Sequence, residues 1–119
     1  MLTVSSPRNG QAGVLKQLVM NGSGQTPLVS VIIVCHNDGQ WLRHCLESLQ
    51  AQTIFAQIEV IIADNASQDG SDLLAKELIA GWSNAKFLPT GGDFGFSGGH
   101  NRGAEVARGQ YLYLTSPDI

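Results

Sequence analysis

From Leu28 onward, apolar and polar positions fall into blocks that read alternately as strand and helix. Leu28-Val29-Ser30-Val31-Ile32-Ile33-Val34 is a nearly continuous β-branched run, the pattern of a strand buried on both faces. Leu42, Cys45, Leu46 and Leu49 then recur at i, i+3, i+4 and i+7, one face of a helix, with Asn37 and Asp38 as expected caps. Ile58 to Ala63 predicts a second buried strand. Ser71 is expected to cap a second helix whose apolar side is Leu74, Leu78 and Ile79. Ala85 to Leu88 predicts a short third strand. A glycine-rich loop from Gly91 to Gly99 should then enter a third helix running to about Arg108 and stopped by Gly109. Tyr111 to Leu114 predicts a fourth strand.

Such alternation implies right-handed βαβ crossovers, hence an α/β fold with a mainly parallel sheet and alternating helices. Ligands of an open α/β sheet bind beyond the carboxyl ends of its strands. The unusual polar residues fall in those places: Cys35-His36-Asn37 after the first strand, Asp64-Asn65 after the second, Gly91 to Gly99 after the third, Ser116-Pro117-Asp118 after the fourth. Four loops converging on one rim is a stronger signal than any one of them.

Residues 1–27 are rich in Gly, Ser, Gln and Asn, and read as a flexible leader. Within them Val14-Leu15 and Leu18-Val19-Met20 suggest a turn or two of helix. Residues 28–119 are expected to form one domain.

Composition narrows the picture. At 119 residues and 43% hydrophobic, the chain suits one domain with a real core. A formal net charge of −3 invites neither nucleic acid nor an anionic membrane surface. Cys35 and Cys45 lie ten positions apart without a CxxC or paired histidines, so they read as buried reduced thiols, not a zinc site. With no apolar run of membrane-spanning length and no secretory signal, the expectation is a cytoplasmic location, at the inner face of the membrane if a longer protein carries an anchor.

The rim residues suggest chemistry. A carboxylate at a strand end, such as Asp64, can accept hydrogen bonds from a base N–H or a ribose hydroxyl. Asp69 and Ser71 fit turn and cap roles as well as binding. The glycines between Gly91 and Gly103 allow a backbone to approach a ligand, and the following helix offers N–H groups to a phosphate. His100, Asn101 and Arg102 stand at that junction, which matches neither GxGxxG nor a Walker loop. Asp118 can hold Mg²⁺ or Mn²⁺ against diphosphate oxygens. His36 sits on the rim; His44 lies in a helix and reads as a surface or packing residue.

Together the segments Val29 to Asn37, Cys45 to Leu49, Ile61 to Ser71, Asn101-Arg102-Gly103 and Tyr111 to Asp118 resemble the family 2 inverting glycosyltransferases of GT-A fold. The resemblance spans nearly all of residues 28–119. It implies the nucleotide-binding, Rossmann-like half of that fold, truncated after the fourth strand, with a UDP- or dTDP-sugar as donor and a glycan as acceptor in the full-length enzyme. It implies nucleotide contacts from His36, Asn37, Asp64, Asn65, Gly95, Asn101, Arg102 and Ser116. Ser116-Pro117-Asp118 would be the DxD-like motif, with Asp118 ligating Mn²⁺ or Mg²⁺. The Phe94-Gly95-Phe96-Ser97-Gly98-Gly99 segment looks most like the rhamnosyltransferase-like branch.

Two departures stand out. Ser116 replaces the first acid of DxD, and His100 stands where an Arg often precedes the helical Asn, leaving Arg102 as a substitute for phosphate contact. The family's general base lies beyond residue 119, so these residues alone are expected to bind nucleotide weakly at best and to transfer no sugar, and the exposed edge of an unfinished sheet suggests self-association. Two other readings compete: a non-catalytic binding remnant, and a dinucleotide-binding Rossmann module. The latter is disfavoured because its first βα turn, Cys-His-Asn-Asp-Gly-Gln, is not glycine-rich.

Overall fold

A computed structural model describes residues 3–4 and 26–118. In chain order the elements are β1 (Thr3–Val4), β2 (Val29–Cys35), α1 (Gly39–Gln50), a 3₁₀ turn (Phe55–Gln57), β3 (Ile58–Asp64), α2 (Ser71–Ile79), β4 (Ala85–Pro89), α3 (Gly95–Val106) and β5 (Tyr111–Thr115). They form one sheet in the order β1-β5-β2-β3-β4, parallel from β5 through β4. Thr3 and Val4, within the segment read as a leader, pair antiparallel with Leu114 and Tyr113. The apolar patch at 14–20 lies outside the described residues.

β2 and β3 are apolar on both faces because both faces are covered, and alternate side chains go opposite ways. Val31, Ile33, Cys35, Val60 and Ile62 pack with Leu42 and Leu46 of α1 and Ala75 and Ile79 of α2. Ile32 and Ile61 point to the other face, where Ala107 and Ala104 at the end of α3 cover them. Ile32, Ile33, Ile61 and Ile62 are fully buried. Each such side chain contributes about 1.5–3 kcal/mol by leaving water.

The glycine-rich segment departs from expectation: α3 starts at Gly95, so much of the expected loop is helix. Its glycines serve packing. A β-carbon at Gly103 would come within 2.5 Å of Ile32 Cγ2, and one at Gly99 within 2.8 Å of Val34. α3 therefore lies against β2 more closely than any other residue type at those two positions allows.

Three expected helix signals also work differently. Asp38 occupies the N-cap of α1 without a capping bond; its carboxylate accepts the His36 N–H instead, at 3.1 Å. Ser71 is the first residue of α2, and its N–H and hydroxyl both donate to the Asp69 carboxylate, the N–H at 2.9 Å. Those bonds hold the exposed Asp69 carboxyl below its usual range. The helix expected to run to Arg108 ends at Val106, and Gly109 does not cap it; the Gly109 N–H donates to Ser30 Oγ at 2.7 Å.

A polar cluster closes the amino-terminal end of the sheet. Ser30 donates to the buried Glu59 at 2.5 Å across the β2–β3 register, and Glu59 also accepts the Arg108 N–H. Lys86 lies 3.9 Å from the same carboxylate. Among the described residues no buried side-chain polar atom lacks a partner, and no helix is long and apolar enough to cross a membrane.

Candidate nucleotide-sugar site

Chain order sets where a ligand can enter. β2, β3 and β4 advance in one direction across the sheet, and β5 returns to the opposite side of β2. α1 and α2 therefore cover one face and α3 the other. Between the carboxyl ends of β2 and β5 the helices diverge, the place where open α/β sheets bind their ligands.

At that rim the structure brings His36, Asn37, Asp64, Asn65 and Gly95 into one network. Cys35 pairs with Asp64 across β2–β3, so the residues that follow them emerge side by side. The Asp64 carboxylate accepts the Ser67 N–H at 3.0 Å and the Ser67 hydroxyl at 2.6 Å. The same hydroxyl accepts the Asn37 N–H at 2.9 Å, and Asn37 Oδ1 accepts the Gln68 N–H at 2.8 Å. Asn37 (φ 55°) and Ala66 (φ 53°) both adopt left-handed backbone, which costs a non-glycine residue about 1–2 kcal/mol. The bonds around them hold that geometry.

The His36 Nδ1–H donates to the Asn65 carbonyl at 2.5 Å. Its Nε2 faces the Asn37 amide at 3.3 Å and the Asp93 carboxylate at 3.6 Å. Asp93 also accepts the Gly95 N–H at 3.3 Å, joining the start of α3 to the histidine. Asn65 is only 1% exposed, and its amide is spent within the protein: Nδ2 donates to the Gly95 carbonyl at 3.0 Å and Oδ1 accepts from Thr90 at 2.7 Å. Asp64 is 4% exposed. Both shape the rim from beneath, while His36 and Asn37 stand at its surface.

Asn101 and Arg102 lie further along α3. Asn101 is exposed. The Arg102 guanidinium stacks 3.5 Å from the Phe94 ring centre and donates to the Gly98 carbonyl at 3.1 Å. Neither makes a hydrogen bond or ion pair to His36, Asn37, Asp64 or Asn65 among the described residues. Ser116 and Asp118 follow β5, whose Thr115 pairs with Ile33. That register brings the chain into Ser116 and Asp118 from a strand directly beside β2. Ser116 Oγ donates to Asp118 Oδ1 at 2.7 Å, and Asp118 is exposed.

Three residues that shape the rim were not read from the sequence as doing so: Ser67, Thr90 and Asp93. Ser67, three positions after Asp64, carries the spacing of a polar turn, the one signal that would have marked it. His100, set down above as a departure at a phosphate-contact position, is 3% exposed and faces backbone carbonyls instead. Burial holds its imidazole below the usual histidine value, while the carbonyls of Phe96, Thr115 and Ile32 pull the other way. Cys35 and Cys45 are free thiols, pushed up by burial to about 12 and about 11.

Among the described residues no three His, Cys, Asp or Glu side chains gather as a metal site. A cation here would have one protein carboxylate, Asp118, with the rest of its shell from ligand oxygens and water. That donor set fits Mg²⁺ or Mn²⁺ beside a diphosphate.

The mainly parallel sheet with alternating helices has the architecture of the N-terminal, Rossmann-like half of a GT-A fold. Residues 30–118 match Glycosyl transferase family 2, and the chain belongs to that family. It is 37% identical over 93 residues to the uncharacterized glycosyltransferase YibD of Escherichia coli, covering 78% of this chain and 26% of that protein. It is 31% identical over 93 residues to the glycosyltransferase AglE of Haloferax volcanii, covering 77% of this chain and 31% of the other. The fold also resembles the mannosyltransferase PcManGT of Pyrobaculum calidifontis, solved with GDP-Man and Mn²⁺. The TM-score is 0.72 at 21% identity, over 77% of this chain and 28% of that one. The chain thus spans about a third or less of the length of these relatives.

Proposed function

We propose that residues 28–119 form the donor-binding part of an inverting glycosyltransferase that takes a UDP- or dTDP-sugar and transfers the sugar to a glycan acceptor. One observation supports this reading: His36, Asp64 and Ser116 to Asp118 lie at or just beyond the carboxyl ends of three adjacent strands, at the point where strand order reverses. His36 and Asn37 present polar groups to a base, and Asp64, through Ser67, holds the loop that flanks it. Asn101 and Arg102 offer donors to phosphate from α3. Asp118, its Oδ1 engaged by Ser116, keeps Oδ2 for a divalent cation shared with the diphosphate. When bound, such a cation offsets the charge that builds on the departing diphosphate.

Inversion follows if the acceptor hydroxyl attacks the anomeric carbon opposite the leaving diphosphate, with a general base supplied outside these residues. The Phe94 to Gly99 segment supports the rhamnosyltransferase-like branch. The β4 edge, and the β5 edge beyond Thr3–Val4, are the surfaces on which self-association would occur.

The test is a thermal-shift titration with UDP, dTDP, GDP and NAD, each with and without Mn²⁺. A manganese-dependent rise with UDP or dTDP that vanishes in Asp118→Ala is the expected outcome. A rise with GDP alone would move the donor class, and a rise with NAD alone would replace the reading with a dinucleotide module. No rise with any of them would sink it.

A further inference from the structure

His100 is the most enclosed titratable group on α3, and every polar contact it makes is to a carbonyl oxygen. Nδ1 lies 2.9 Å from the Phe96 carbonyl in its own helix. Nε2 lies 3.1 Å from the Ile32 carbonyl in β2 and 2.9 Å from the Thr115 carbonyl at the end of β5. The Phe96 ring packs edge-on against the imidazole, with centres 4.1 Å apart. Gly99 and Gly103 on either side let the helix come close enough for this reach. A neutral imidazole has one N–H. Placed on Nε2, it serves two strands at once; placed on Nδ1, it serves only the helix.

Thr115 is the last residue of β5, and Ser116 and Asp118 follow it directly. The ladder between β2 and β5 ends at the Ile33–Thr115 pair, so beyond it no regular pairing holds the chain. We infer that His100 is a positioning residue: its Nε2–H ties the end of β5 to β2 and thereby fixes where Ser116 and Asp118 stand. This deepens the donor-site reading and rests on it for the purpose of the tether, but not for its existence. His100 itself touches no donor; it acts through Asp118.

The geometry provides its own control. A glutamine amide nitrogen reaches about where Nε2 stands and carries two hydrogens, one for each strand carbonyl. An asparagine amide reaches only the Nδ1 position and the Phe96 carbonyl. Backbone ¹⁵N relaxation on wild type, His100→Asn and His100→Gln is the test. His100→Asn should lower the order parameters of Thr115, Ser116 and Asp118 from the rigid value of about 0.85 toward about 0.6, leaving Asp64 to Ser67 unchanged. His100→Gln should restore them. Loss spread evenly along the chain, no loss in His100→Asn, or equal loss in both variants would overturn the inference.

In the donor assay, His100→Asn should lose the manganese-dependent part of the nucleotide shift while keeping the metal-free part, and His100→Gln should recover it. Equal loss of both parts would mean that the residue is merely structural. If neither variant folds, the wild-type imidazole ¹⁵N spectrum decides: a slowly exchanging Nε2–H supports the tether, and an Nδ1–H tautomer overturns it. A wild-type chain with no manganese response would instead remove the donor-site reading, and the order parameters would still judge the tether.

Discussion

The Ser67 hydroxyl links two strand ends, accepting the Asn37 N–H at 2.9 Å while donating to the Asp64 carboxylate at 2.6 Å. One oxygen thus holds the loops after β2 and β3 in mutual register. Ser67→Ala removes both bonds and should cost about 1–3 kcal/mol, since each net hydrogen bond is worth about 0.5–1.5 kcal/mol. Urea unfolding is the check: the midpoint should fall with the slope unchanged. An unmoved midpoint would show that the link carries no stability.

Next to it, Ala66 holds a left-handed backbone at φ 53°. Glycine takes that conformation without a β-carbon penalty. Ala66→Gly should therefore leave stability unchanged or raise it by up to about 1 kcal/mol, unlike most alanine-to-glycine changes. A loss of the ordinary size would mean that the turn relaxes in solution.

Gly103→Ala places a methyl group against Ile32 in a fully packed layer. The expected loss is about 1–3 kcal/mol. Combining it with Ile32→Ala should cost less than the sum of the two single changes, because the second removes the atoms that the first strikes. Strict additivity in a double-mutant cycle would refute the close approach.

The strands were legible in the sequence, and the glycine segment was not, for a physical reason. Val31 to Val34 and Val60 to Ile62 announce themselves because burial on both faces demands apolar residues at every position. Leu42 and Leu46 show the helical period of α1 in the same direct way. Gly95 to Gly99 looks like a loop because glycine disfavours helices by about 1 kcal/mol per residue. What overrides that cost is Val34 and Ile32, some 65 to 71 positions away, and no local pattern records such a partner. The rim divides likewise. His36, Asn37, Asp64 and Asn65 stand out by following strands directly. Thr90 and Asp93 matter only because Asn65 and His36 happen to face them.

Both cysteines should resist modification in the folded chain. With the thiols at about 12 and about 11, the thiolate fractions at about pH 8 are on the order of one in ten thousand for Cys35 and one in a thousand for Cys45. A disulfide-exchange reagent should titrate neither within minutes, and both at once in denaturant. Fast reaction of one thiol in the native state would contradict its burial.

Acid should weaken the fold through His100. Its folded value lies below the ordinary 6.5 because burial disfavours the imidazolium. Between those two values the unfolded chain binds a proton that the folded chain refuses, so stability falls as pH drops through that window and is flat above it. Denaturation midpoints should decrease from about pH 7.5 to about pH 5.5, and less steeply in His100→Gln. Identical pH dependence in both proteins would assign the effect to other groups.

Ser30 and Glu59 sit near the first residues of their strands, whereas every loop of the rim leaves from the last. The polar fastening that secures β2, β3 and the turn before β5 is therefore a strand's length from the rim. Loop sequences at the rim can change without loosening that fastening. The Ser30–Glu59 fastening and the Ser67 link thus hold opposite ends of the same sheet.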